Sequence, residues 1–168
     1  MGAEIVPCSP VDDEGPPEDG EICWLPGGYP ELYPAKLAAA GNFKEGLKVF
    51  AETKPVHGEC GGYMVLGEAL EDADGVTHAM TGLLSHATSF AKRKMNLGYR
   101  QARLLGHSAI GSANDLIRGH EFHYARVIDA GNDEPLAMIA DGRGVEIGPS
   151  GGKRGSVTGT FFHAIARD

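Results

Sequence analysis

The 168-residue chain has no apolar run near the roughly 20 residues that a membrane-spanning helix needs, and its start lacks the basic-then-apolar pattern of a signal peptide. Val6 stands where a myristoylation signal would carry Ser or Thr. A cytoplasmic protein is expected. Positive charge is also short, with 15 Lys and Arg against 23 Asp and Glu and a net charge of −8. Lys92-Arg93-Lys94 and Lys153-Arg154 are its only short basic clusters, so nucleic acid and acidic membranes are poor partners. Three cysteines, Cys8, Cys23 and Cys60, cannot all pair within the chain, and no CxxC or Cys/His ligand spacing joins them. That excludes a disulfide framework and a structural zinc site. No G-x-x-x-x-G-K-[ST] occurs either, so an ATP phosphate cradle is missing and no cofactor is expected in this chain. With no internal repeat, heptad pattern or linker, the expectation is a single domain over residues 1–168.

What the chain has in excess is glycine, 25 residues, which implies many sharp turns or close backbone approaches. Ala3–Pro7 and Glu21–Leu25 read as short buried strands around an acidic Pro/Gly-rich loop. From Tyr33-Pro34 the apolar positions Leu37, Phe43, Leu47 and Phe50 take helical spacing. Lys54–Gly58 reads as a strand and Gly61–Leu70 as a helix. Thr81–Leu84, Leu97–Leu105, His120–Ile128, Leu136–Ile139 and Thr158–Ile165 are strand-like runs between glycine-rich turns. The order predicts an α/β fold with a mostly parallel central sheet and added antiparallel strands in the C-terminal half.

The sharpest local feature is Pro55-Val-His-Gly-Glu-Cys-Gly-Gly-Tyr-Met64. G-x-C-G-G between a strand and a helix has the plan of a nucleophile elbow, with Cys60 at its apex. Flanking glycines admit the strained turn, and the helix start favours the reactive thiolate. The Gly61 N–H would point toward the oxygen that becomes negative when a carbonyl is attacked, and Gly28, in Leu25-Pro-Gly-Gly-Tyr-Pro-Glu31, would complete that oxyanion hole if its strand is a neighbour. Gly27, Gly28, Gly58, Gly61 and Gly62 are where the backbone is expected to meet a substrate. Cys8 and Cys23 read as buried apolar residues.

A nucleophilic thiol needs a base that also returns a proton to the leaving group. His163 ends an apolar strand-like run near the C-terminus; His120 and His123 form a second candidate. His57 reads as structural, and His78, His86 and His107 as surface residues. His120-Glu121-x-His123 has metal-like spacing, but on a strand the two histidines face opposite ways, so metal binding is not expected.

Leu25-Pro-Gly-Gly-Tyr-Pro-Glu-Leu-Tyr33, Gly58-Glu-Cys-Gly-Gly-Tyr-Met64, Leu97-Gly-Tyr-Arg100 and Arg118-Gly-His-Glu-Phe-His-Tyr124, in that order, resemble the glutamine amidotransferase domain of the cobyrinic acid a,c-diamide synthase family. The likeness runs from Ala3 to about His163. It implies a class I glutamine amidotransferase-like (flavodoxin-like) sandwich. It also implies that Cys60 attacks the side-chain amide of glutamine, that Gly28 and Gly61 hold the oxyanion, and that His163 protonates the departing ammonia. Tyr63, His120, Glu121 and His123 would shape the substrate site or an interface. The ammonia would pass to an ATP- and Mg-using synthetase domain of the same full-length chain, which amidates the a and c carboxylates of cobyrinic acid or, in the aerobic branch, hydrogenobyrinic acid.

The chain departs from the related pattern at Ile165, where a third polar partner two residues past the histidine is usual; a dyad, or Glu121 in that role, is the expectation. The family's first strand and helix also read as absent, and a truncated sheet edge implies self-association into a homo-oligomer. Two other classes stay open: a non-catalytic module that only docks to a partner, and a Cys-dependent hydrolase of different specificity.

Overall fold

A computed structural model of the chain describes residues 2–167. In chain order it comprises β1 (Cys23–Leu25), α1 (Pro34–Ala39), α2 (Gly41–Ala51), β2 (Val56–Glu59) and α3 (Gly61–Leu66), followed by β3 (Ala69–Glu71), β4 (Thr77–Ala79) and β5 (Ala87–Ser89). Then come β6 (Asn96–Leu104), β7 (Leu116–His123), β8 (Arg126–Asp129), β9 (Ala137–Asp141), β10 (Glu146–Ser150), β11 (Gly152–Arg154), β12 (Val157–Thr160) and β13 (Phe162–Arg167). Pro34 opens α1, where its missing N–H is no loss, and Phe43, Leu47 and Phe50 give α2 a buried stripe.

The described residues form three sheets. The first has the order β1-β2-β12-β11; β1, β2 and β12 are parallel, and β11 closes one edge antiparallel. The second is small, β4-β3-β5-β8. The third is fully antiparallel, β10-β9-β6-β7-β13. Two apolar cores follow. One, containing Leu37, Phe43, Leu47, Val56, Leu66 and Phe161, lies between the parallel sheet and the helices. The other, containing Ala102, Leu104, Ile117, Ile139 and Phe162, lines one face of the antiparallel sheet. The α/β class and the split between a parallel and an antiparallel half agree with the sequence.

Several elements differ from expectation for identifiable reasons. Ala3–Pro7 is no strand: the sheet ends at β1, and Ile5 stays 86 % exposed. The helix after Cys60 stops at Leu66 instead of Leu70, because Gly67 turns to an extended conformation and Ala69–Glu71 pairs with two strands. Thr81–Leu84 also forms no ladder. Its N–H groups bond to the end of α3, Thr81 to Val65 O, Gly82 to Gly67 O and Leu84 to Leu66 O, so a buried loop replaces the predicted strand. Thr158–Ile165 is two strands in two different sheets, broken at Phe161. No helix among the described residues is long and apolar enough to cross a membrane.

Candidate active site

Cys60 is the one residue between β2 and α3, and its backbone lies at φ 52°, ψ −105°. A residue with a Cβ rarely enters this region, and holding it there costs on the order of 1–3 kcal/mol. The surroundings clamp it. Its N–H donates to Thr160 O at 2.8 Å, and its carbonyl accepts from the Met64 N–H at 3.2 Å. Gly61 and Gly62 make the turn sterically feasible. A Cβ on Gly62 would overlap Leu25 O at the end of β1, and one on Gly61 would stand 2.7 Å from the Gly28 N. The elbow and the Gly27-Gly28 loop are therefore pressed backbone to backbone, as the parallel pairing of β1 and β2 requires.

The histidine arrives from the other end of the chain. β12 runs parallel to β2 with Thr160 opposite Glu59; Phe161 crosses over, and β13 begins. There His163 pairs opposite His120 and stacks on its ring at 4.8 Å between centroids. A Cβ built on Gly27 would lie 3.1 Å from His163 Cε1 and 3.8 Å from Cys60 Cβ, so the loop, His163 and Cys60 surround one point. The Cys60 thiol is directed at Phe122 O, 3.8 Å away.

Glu59, which the sequence did not single out, completes the row beside His163. His163 Nδ1 is 2.8 Å from Glu59 Oε1, and the Ala164 N–H donates to Oε2 at 3.4 Å. Burial works against the Glu59 charge, yet the His163 hydrogen bond and charge outweigh it and hold the carboxyl below its usual range. His163 is raised to about 10, first by its hydrogen bond to Cys60 and then by Glu59, against the opposing effect of burial. The imidazole is thus kept protonated at neutral pH beside the thiol. Neither expected substitute serves. Glu59 stands where a dyad would have nothing, and Glu121 points to the opposite face of β7 from His120 and pairs with Arg100 at 2.8 Å; Ile165 is exposed on β13.

A cavity of about 260 Å³ opens onto Cys60 and His163. Gly27, Gly28, His120, Phe122 and His123 line it, so His120 and His123 both share a cavity with Cys60. Of the five glycines expected at a substrate, Gly27 and Gly28 line this cavity; Gly61 is not among its lining residues and is buried against Gly28, and Gly58 and Gly62 press against Leu66 and Leu25 inside the protein. Tyr63, expected to shape the site, is instead a core residue 4 % exposed, stacked on His86 at 3.9 Å and edge-on to Phe161 at 5.2 Å. Phe161 in turn stacks on His123, so Tyr63 reaches the cavity only through two other rings.

The remaining histidines divide clearly. His57 is fully buried with Nδ1 2.8 Å from Thr158 Oγ1, a structural position as read from the strand. His86 is not at the surface as expected: it is buried, with Nε2 3.0 Å from Tyr63 O. Burial lowers both to about 4. His107 is exposed, and His78 pairs with Asp72. Cys23 is buried in β1; Cys8 is half-buried and lies in no strand. No cluster of three or more His, Cys, Asp or Glu among the described residues is placed to hold a metal ion.

The described fold resembles a crystal structure of a glutamine amidotransferase, with a TM-score of 0.55 and 17 % identity over 87 % of this chain and 71 % of that one. In sequence the chain is 72 % identical over 166 residues to hydrogenobyrinate a,c-diamide synthase of Agrobacterium fabrum, covering 99 % of this chain and 38 % of that protein. The enzymes of the same name from Mesorhizobium japonicum and Rhodobacter capsulatus are 68 % and 50 % identical over 166 and 165 residues, covering 99 % and 98 % of this chain. The chain spans 38 % of the length of each of these three relatives. The CobB/CobQ-like glutamine amidotransferase domain matches residues 1–168 throughout, and the chain belongs to that family.

Proposed function

We propose that this domain hydrolyses glutamine and delivers the ammonia to a synthetase part of the full-length protein, which amidates the a and c carboxylates of hydrogenobyrinic acid. The observation that supports it most is the Glu59–His163–Cys60 row at a strained elbow, facing a cavity. Paired with the protonated His163, Cys60 attacks the side-chain carbonyl of glutamine as its thiolate. The tetrahedral oxyanion lies against the Gly28 and Gly61 N–H groups, which the contact of the two loops brings together. His163 then protonates the leaving nitrogen, the C–N bond breaks, and ammonia departs from a thioester on Cys60. Water, deprotonated by the now neutral His163, attacks the thioester; the C–S bond breaks, glutamate leaves, and the thiolate and the protonated imidazole are restored. Glu59 holds the imidazole in orientation and stabilises its charge, as a carboxylate does in other nucleophile–histidine sites.

ATP and Mg²⁺ act, in this reading, only in the synthetase part, where they activate the corrin carboxylates. Cobyrinic acid is the runner-up acceptor; the names of the relatives favour the hydrogeno form. The reaction is placed in the cytoplasm, where ATP and free glutamine are supplied. The test is glutamate release by the full-length protein and its Cys60→Ala variant. Release should fall to background in the variant while glutamine protects Cys60 of the wild type from alkylation. Unchanged release would sink the assignment.

A further inference from the structure

Glu31 belongs to the cavity but has no part in the chemistry above. It sits in the short 3-10 turn Pro30–Leu32, directly after the Gly27-Gly28 loop, and lines the same cavity as Cys60 and His163. It is the only carboxylate among the lining residues. Its Oε2 is shielded from water and has no hydrogen-bond partner among the described residues. A buried, unpartnered carboxylate oxygen is costly, and one on a residue that lines a cavity is most simply explained by a donor that arrives with the ligand. Burial pushes the Glu31 carboxyl up, only partly offset by its own backbone N–H and by the charge of Arg93. Arg93, in the exposed Lys92–Lys94 segment that follows the cavity residue Phe90, therefore adds positive charge near the same mouth.

Glutamine carries an ammonium and a carboxylate on one carbon, at the end away from the amide that Cys60 attacks. We infer that Glu31 is the substrate-recognition residue that accepts the α-ammonium of glutamine. This rests on the glutaminase reading above. It makes the cavity selective for a free α-amino acid and leaves peptides, acylated glutamine and simple amides as poor substrates. A charge-assisted hydrogen bond of this kind is strong enough to dominate ground-state binding.

The experiment compares full-length wild type, Glu31→Gln and Arg93→Gln with two substrates, glutamine and its α-deamino analogue glutaramate, measuring kcat and KM for amide hydrolysis. Wild type should favour glutamine by about 10- to 100-fold in kcat/KM. Glu31→Gln should raise KM for glutamine by the same factor, change kcat less than about threefold, and lose the discrimination against glutaramate. Arg93→Gln, a change outside the residues that line the cavity, should keep the discrimination between the two substrates. The rate of Cys60 alkylation in Glu31→Gln, equal to wild type, shows that the elbow is intact. Unaltered discrimination in Glu31→Gln, or an equal loss for both substrates, overturns the role of Glu31 while leaving the glutaminase in place. A wild type that takes neither substrate overturns both.

Discussion

The parallel and the antiparallel sheet contribute to the site by opposite logics. In the parallel sheet, chemistry gathers at the carboxyl ends of adjacent strands, where loops converge by topology: β1 ends in the Gly27-Gly28 loop and β2 in Glu59 and Cys60. In the antiparallel sheet no end is privileged, and His163 is placed by register alone, opposite His120 on β7. Cys60 and Glu59 thus come from the parallel sheet and His163 from the antiparallel one. Phe161 is buried in the first core and Phe162 in the second, so consecutive rings fasten the two at the point where the base is presented.

The comparison can be broken at its strongest point by removing the base. His163→Ala should lower kcat for glutamine hydrolysis by about 10³- to 10⁴-fold while Cys60 remains alkylatable; a loss below tenfold would mean that the two sheets do not share one site. Next comes the fastening. Phe161→Ala and Phe162→Ala should each destabilise the fold by about 3–5 kcal/mol in denaturant unfolding, showing that both cores are needed. A cost under 1 kcal/mol for either would mark that sheet as loosely attached.

Glu59→Gln tests the carboxylate on the parallel side, with an expected drop of about 10²-fold in kcat and a shift of the His163 limb of the pH–rate profile to lower pH, since Glu59 helps to hold that imidazole near 10. Glu121→Gln, on the antiparallel side, should leave that limb in place. The smallest effect is on the pH dependence of stability. His57 and His86, buried in the parallel half, sit at about 4 against 6.5 when unfolded, so the unfolded chain takes up protons first and stability falls as pH drops from 6.5 to 4. His163, at about 10, contributes fully below 6.5 and loses its contribution as pH rises toward 10. Tm should therefore peak near pH 6.5. His86→Phe should flatten only the acid side and Glu59→Gln mainly the alkaline side; a change of the opposite side in either variant refutes the sign.

Cys60 and the Gly27-Gly28 loop were legible in the sequence because an elbow has a local glycine signature. His163 was legible from its place at the end of an apolar run. Glu59 was not, although it adjoins Cys60. Its role depends on the register of β2 with β12, Thr160 opposite Glu59, and hence on pairing across about a hundred residues of chain. The position where local habit looks for the third residue, Ile165, falls in the irregular stretch of β13 between Ala164 and Ala166 and is turned to solvent. Likewise the buried setting of His86 comes from a loop bonded to the end of α3, which no periodicity announces.

The crossing at Phe161 is one residue long. Side chains on a strand alternate between faces, so a single inserted or deleted residue there would turn His163 away from Cys60 and present Ala164 or Phe162 in its place. This connector should accept substitutions of similar bulk while tolerating no change in length, the reverse of an ordinary loop, and length variants at this junction should lose stability, as Phe162 leaves its core, together with activity.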